Sequence, residues 1–225
     1  MSFSVATGAR HVILGPNGAG KTTLFNVITG EKSPSAGRVL LFGRDVSDLT
    51  SDRRAWLGLS RTFQITNLFW DLTVEDNVLL AYLAQDRSRQ VFYRPARSLA
   101  QLVAKARAML DEFGLGGIAQ ARARSISYGE QRQLEIVIAL ATRARLLLLD
   151  EPTAGLSRDA ANYLIRLTKS LPAAITVLLV EHDLDVAFQL SQTATVLHQG
   201  ELIAHGSVEA VRSNPEVRQV YLGRR

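Results

Sequence analysis

The feature that most restricts this chain is the run Gly15-Pro16-Asn17-Gly18-Ala19-Gly20-Lys21-Thr22. It follows an apolar, β-prone stretch, Arg10 to Leu14, and opens a helical pattern from Gly20 onward. It matches G-x-x-x-x-G-K-[ST] in the context that pattern requires, a strand before it and a helix after it. Glycines let backbone N–H groups turn inward around phosphate oxygens, and the helix N-terminus beyond adds its positive dipole end. Lys21 then reaches the β and γ phosphates, and the Thr22 hydroxyl is placed where Mg²⁺ bridges them. The expected phosphate contacts run from Gly15 through Thr22 to Thr23.

A phosphate cradle of this kind needs a second half, and Leu146-Leu147-Leu148-Leu149-Asp150-Glu151 supplies it: an apolar strand ending in two acids. In open α/β sheets such strand ends are where ligands bind. Asp150 is the expected magnesium ligand, and Glu151 is placed to polarise an attacking water as general base. Short β-rich runs alternate with helical patterns: Arg10 to Leu14 then a helix, Leu146 to Asp150 then a helix from Ser157, Thr176 to Glu181 then a helix from Leu184. That order predicts an α/β fold of βαβ units. Between Phe63 and about Thr142 the strand signal disappears, and Val74 to Ala84, Leu99 to Phe113 and Glu130 to Ala141 read as helices. Arg38 to Gly43 and Thr193 to His205 read as short strands, the latter turning at Gln199-Gly200, before a last helix near Ser207.

Composition narrows the alternatives. The 225 residues are enough for one α/β domain with an inserted subdomain. No apolar stretch approaches the roughly 20 residues that span a bilayer. The N-terminus has no secretory pattern. With no cysteine, a disulfide framework, a thiolate metal site and a cysteine nucleophile are excluded, and a cytoplasmic setting is expected. The net charge of +5 comes from arginines scattered along the chain, which reads as a solvated surface; Arg87, Arg89, Arg94 and Arg97 form the one local cluster. No repeat or low-complexity segment is present.

Further residues distinguish this chain among P-loop NTPases. Ser127-Tyr128-Gly129-Glu130-Gln131, about one helix upstream of Asp150, resembles the signature motif of ATP-binding cassette (ABC) ATPases. Gln64 after Arg61 to Phe63, Ala154-Gly155-Leu156-Ser157, and His182 after Thr176 to Glu181 complete that family's set, and the resemblance covers nearly the whole chain from Ser4. Arg132 with Leu134-Glu135-Ile136, Arg61-Thr62-Phe63-Gln64 with Leu68-Phe69 and Leu72-Thr73-Val74-Glu75-Asp76-Asn77-Val78, and the closing Val220-Tyr221-Leu222-Gly223 look like the ATPase subunits of branched-chain amino acid importers. Importers of urea or short amides are similar competitors.

The resemblance implies a single ABC ATPase domain over residues 1–225, with a mixed-sheet P-loop core at about 1–64 and 143–225 and a helical, signature-bearing subdomain at about 65–142. It implies ATP and Mg²⁺ as ligands, with Thr22, Gln64 and Asp150 at the metal. It implies Glu151, His182, Gln64 and Lys21 in catalysis, and Ser127, Tyr128, Gly129 and Glu130 capping a nucleotide held by a second cassette, in a homodimer or heterodimer. Transmembrane permease subunits are the expected partners, nucleic acid is not, and the chain would sit on the inner face of the cell membrane. An ABC-type ATPase of a non-transport system, bound to nucleic acid or ribosomes, is the rival reading. Three residues depart from the common pattern: Tyr128 for glycine and Glu130 for glutamine in the signature, and Ser157 for aspartate in the loop after Asp150-Glu151. Cassettes of this family also carry an earlier strand with an aromatic that stacks on adenine; here Met1-Ser2-Phe3-Ser4-Val5 starts beyond it. Loss of that stacking would weaken base binding by about 1 to 3 kcal/mol.

Overall fold

Three strands buried along their whole length, β1 (Arg10–Leu14), β5 (Leu146–Asp150) and β6 (Thr176–Val180), form the centre of the molecule's main sheet. Continuous apolar runs of this kind belong in parallel sheets that are covered on both faces. The computed structural model describes residues 1–62, 68–84 and 96–222, the side chains of 96–99 and of 222 excepted. The six-stranded sheet has the order β4-β5-β6-β1-β7-β8, with β4 at Leu59–Arg61, β7 at Thr193–His198 and β8 at Glu201–Ser207. Pairing is parallel from β4 to β7, and β8 runs antiparallel to β7. The sheet is therefore mixed, and helices connect its parallel strands, which gives the expected α/β fold.

The chain divides into two units. The first comprises Met1–Arg61, Arg145–Ala154 and Ile165–Arg225 and holds the sheet. Its helices include α1 (Lys21–Thr29), α2 (Ser51–Trp56), α7 (Leu184–Leu190), α8 (Val208–Ser213) and α9 (Pro215–Leu222). One of its cores packs Ile13, Phe25, Leu148, Leu178, Val180 and Leu197 together, residues separated by long stretches of chain. The second unit comprises Thr62–Ala144 and Gly155–Leu164. It contains α3 (Val74–Ala84), α4 (Ala96–Glu112) and α5 (Tyr128–Ala141). Its own core joins Val74, Val78, Leu110, Leu115, Leu134 and Val137. Between the units' chain segments runs α6 (Arg158–Ser170), whose residues fall to both.

Several expected elements differ in extent, and each has a local cause. Arg38 to Gly43 is not one strand: β2 (Leu40–Leu41) and β3 (Arg44–Asp45) form a separate small hairpin. Phe42 and Gly43 both have positive φ, 54° and 80°, the requirement of a two-residue type I′ turn. The same device, Gln199 at 51° and Gly200 at 83°, joins β7 to β8 as expected. The helix α5 starts at Tyr128 because Ser127 caps it, and α8 starts at Val208 with Ser207 as its cap. The helix α2 is absent from the periodic reading; at six residues it is too short to show an apolar stripe, although Thr50 followed by Asp52 is a helix-start signal.

Arg54 explains why so short a helix is held. Its guanidinium is 1% exposed and donates to the carbonyls of Val27 and Ile28 at the end of α1 and to those of Ser47 and Leu49. It thus satisfies orphan acceptors at a helix C-terminus. Arg10 plays the same part at the start of β1, donating to Gly8, Leu171 and Ile175 carbonyls. Phe3 lies stacked on His11, 6.0 Å between ring centroids, and against His205 in β8, so its ring is used inside the fold. Among the described residues, no helix is long and apolar enough to cross a membrane.

Candidate functional site

Parallel strands that end at one edge of a sheet bring their following residues into a row. Here that row reads, across neighbouring strands, Arg61 at the end of β4, Asp150-Glu151 at the end of β5, Glu181-His182 after β6, and the Gly15–Thr22 loop after β1. Sequence alone pairs the loop with Asp150 by analogy; the strand order places β6 between them, and His182 with it.

The loop is built around glycines that no other residue replaces. Gly15, at φ 155°, would carry a Cβ only 2.4 Å from the Leu197 carbonyl oxygen of β7. Gly18 and Gly20 have φ of 80° and 102°, left-handed positions open to glycine. Ala19 N–H donates to the Pro16 carbonyl and Leu24 N–H to that of Gly20, which closes the turn into α1. The helix has no side-chain cap at Gly20 and no acid in its first turn. Asn17 and Gly18 are exposed, and so are the Thr22 and Thr23 side chains at the helix start. An uncapped, acid-free helix N-terminus facing open space is an anion site.

Lys21 completes it. The side chain is buried, and its Nζ donates to the carbonyls of Gly15 at 2.7 Å and Pro16 at 3.1 Å. Burial lowers its pKa, while Glu151 and Asp150 act in the opposite direction. The ammonium is thus held over the loop by neutral acceptors that a phosphate would readily replace.

Across from it, Glu151 adopts φ 46°, a left-handed conformation uncommon for a side chain with a Cβ and frequent at functional sites. Its N–H donates to the Val180 carbonyl, and its own carbonyl accepts from Ala154, so the turn after β5 fixes the strained residue. The Glu151 carboxylate is partly buried and lies 3.6 Å from His182 Nδ1, while the imidazole is largely exposed. Next to it Glu181, 1% exposed, accepts from Thr153 Oγ1 at 2.9 Å, and burial raises its pKa. Asp150 is buried, and its Oδ2 accepts from Arg61 at 3.0 Å. The Thr22 hydroxyl and the Asp150 carboxylate are hard oxygen donors suited to a small divalent cation. Gln64 lies outside the described residues, as do Arg87, Arg89 and Arg94; the side chain of Arg97 is likewise not described.

The remaining expected residues lie in the second unit. Ser127 and Glu130 form a reciprocal capping box: Ser127 Oγ accepts from Glu130 N–H and donates to Glu130 Oε2, which also accepts from Ser127 N–H. Ser127 and Tyr128 are exposed to solvent, and the rest of the first turn of α5 is half-buried. Tyr128 packs near Gly155 and accepts from the buried Arg132, whose guanidinium also pairs with Glu135. Gly129 is tight against Ala160, where a Cβ would come to 3.2 Å.

Arg61 is the site residue that sequence reasoning misses. It is one more arginine among many in the sequence, and only the pairing of β4 with β5 brings it to Asp150. The available signal was a charged residue at the carboxyl end of a strand in a parallel sheet.

A glycine-rich loop with its lysine, two acids at the end of a buried strand and a histidine just beyond the next strand define a P-loop NTPase. Comparison with known proteins refines that class. Residues 1–154 match the ABC transporter family, and residues 201–225 match the branched-chain amino acid ATP-binding cassette transporter family. The chain is 38% identical to the high-affinity branched-chain amino acid transport ATP-binding protein BraF of Pseudomonas aeruginosa, over 94% of this chain and 86% of that protein. Its fold is similar to the ADP conformation of MJ1267, an ATP-binding cassette of an ABC transporter, with a TM-score of 0.85 and 32% identity over 99% of this chain and 91% of the other. It is also similar to MJ0796, an ATP-binding cassette solved as a dimer in a post-hydrolysis state with ADP and Pi, with a TM-score of 0.77, 26% identity and coverage of 92% and 88%. The chain belongs to the ABC transporter ATP-binding family, and it is an ATP-binding ATPase.

Proposed function

We propose that this chain is the ATP-hydrolysing subunit of an importer for branched-chain amino acids or related small polar solutes. The observation that carries the reading is the row at the carboxyl edge of the sheet, where Asp150-Glu151, His182 and Lys21 end or follow the neighbouring strands β5, β6 and β1. The names of the relatives point to the same solutes. ATP phosphates lie in the Gly15–Thr23 loop, contacted by Pro16, Asn17 and Ala19 backbone as well as the glycines. Thr22 and Asp150 would hold Mg²⁺, with Gln64 as a sensor of metal and water, and the cation would supply positive charge against the phosphates. Glu151 takes the proton of the attacking water, and His182 steadies that water and the γ-phosphate. Lys21 and the loop's N–H groups stabilise charge that develops on the transferred group.

Ser127, Tyr128, Gly129 and Glu130 belong in this reading to a composite site: they close over the nucleotide of a second cassette, a homodimer or heterodimer partner. The similar cassette MJ0796 was solved as a dimer bound to ADP and Pi. The core at about 1–64 and 143–225 does the chemistry, and the helical subdomain at about 65–142 passes the motion to permease subunits at the inner face of the membrane. The test is Mg·ATP-dependent dimerisation of the purified chain and of Glu151→Gln, by light scattering at matched concentrations with turnover measured alongside. Dimer accumulation in Glu151→Gln with turnover lost supports the reading; undiminished turnover removes Glu151 as the base.

A further inference from the structure

We propose that Arg61 is a built-in counter-ion that stands in for the divalent cation at Asp150 whenever the metal is away, and yields the carboxylate when the metal arrives. The inference rests on the reading of Asp150 as a metal ligand. It starts from the cost of that ligand. A carboxylate with a 9% exposed side chain, at the end of a fully buried strand, is expensive to leave without a compensating charge. A metal site of this kind must be emptied and refilled with nucleotide exchange, so the protein needs compensation of its own in between.

Arg61 provides it from the neighbouring strand. Its side chain is 7% exposed, and Nη2 donates to Asp150 Oδ2 at 3.0 Å. The same guanidinium has a second set of acceptors, on and just beyond the phosphate-loop helix. Nη1 donates to Asn26 Oδ1 at 2.7 Å and to Glu31 Oε2 at 3.2 Å. Its Cζ lies over the Phe25 ring, 5.6 Å from the ring centroid. One planar fork is thus shared between the metal-side acid and the far end of α1. A divalent cation at Asp150 repels the guanidinium, and Asn26 and Glu31 receive the charge that Asp150 releases. Lys21 is another cation near Asp150, but its ammonium is held by the Gly15 and Pro16 carbonyls.

The sign of the effect separates this role from plain packing. Arg61→Gln leaves Asp150 buried and uncompensated without metal, whereas Mg²⁺ restores compensation. The variant should therefore melt well below wild type in ADP without Mg²⁺, and the gap should narrow as MgCl₂ is added. The Mg²⁺ concentration that half-saturates the melting shift should fall roughly 3- to 10-fold, the size of a partly screened unit charge withdrawn from the site. Glu31→Gln is a milder change at a partly exposed carboxylate. It leaves Arg61 fewer alternatives, and the same half-saturation should rise about twofold.

An equal loss of melting temperature with and without Mg²⁺, or an unchanged or higher half-saturation in Arg61→Gln, overturns the proposal. If Arg61→Gln does not fold, Glu31→Gln decides: an unchanged half-saturation is equally fatal. Asp150→Asn separates the underlying reading. If that change leaves the Mg²⁺ dependence intact, Asp150 is not the ligand and the inference falls with it; if Asp150→Asn shifts the dependence while Arg61→Gln and Glu31→Gln do not, only the role of Arg61 fails.

Discussion

His11 shows how one buried residue can set the pH behaviour of the sheet. It is fully buried in β1, its ring nitrogens bonded to Thr193 and Thr195 hydroxyls, and Thr195 bonds onward to His205. Burial first, and the nearby His205 second, hold its pKa down at about 4, against 6.5 for an ordinary histidine. Between those values the unfolded chain takes up a proton that the folded chain refuses. Stability present above pH 6.5 should fall by up to about 3 kcal/mol as the pH drops toward 4. Urea midpoints measured across that range should show the slope in wild type and lose most of it in His11→Gln. Arg54 is a second residue whose importance is invisible in the sequence. Arg54→Met keeps much of the volume but strips donors from the Ser47, Leu49, Val27 and Ile28 carbonyls. Denaturation should reveal a loss of about 2 to 4 kcal/mol.

Helix starts carry the site at the scale of elements, and the two that matter are built oppositely. α1 begins at a glycine with no side-chain bond to its first N–H groups, whereas α5 begins with both halves of a capping box satisfied. An open start suits a permanent anion pocket; a capped start keeps its helix formed while the Ser127 hydroxyl stays exposed. Ser127→Ala should cost about 1 kcal/mol of stability, read from chemical denaturation. In the proposed composite site it should also weaken ATP-dependent dimerisation of Glu151→Gln, with ATP binding by the monomer intact. The capping box was legible as Ser127 with Glu130 three residues on. The exposure of α1's start was legible only as a motif, because what keeps it clear is Gly15 packed under the Leu197 carbonyl.

For the whole molecule, nucleotide binding is linked to folding. A ligand that binds only the folded state stabilises it by about 2.7 kcal/mol at a hundredfold excess over its dissociation constant. Thermal unfolding with and without Mg·ATP should show that shift in wild type, and Lys21→Ala should abolish it when each protein is compared with its own nucleotide-free melting temperature. The two units each have their own apolar core. Gly155–Leu164 belongs with the signature-bearing unit, although the segment that it directly follows in sequence, Arg145–Ala154, belongs to the other. No local pattern reports such an assignment, because it depends on which side chains close around Tyr128, Gly129 and Gln133.

The sequence by itself determined β1 and β5 to the residue and β6 to within one, since a fully apolar run between turn signals has few other fates. It also picked out the glycine-rich turn Gly15–Thr22 and the acids that follow β5, since such a pattern fixes residue type and spacing together. Tertiary structure alone decided what is made of long-range polar contacts. Arg61 reaches Asp150 across paired strands, Arg54 reaches the end of α1, and His11 joins Thr193 and Thr195. The reason is physical: a buried charge is tolerated only where partners from distant parts of the chain meet it, and neither composition nor periodicity encodes that meeting.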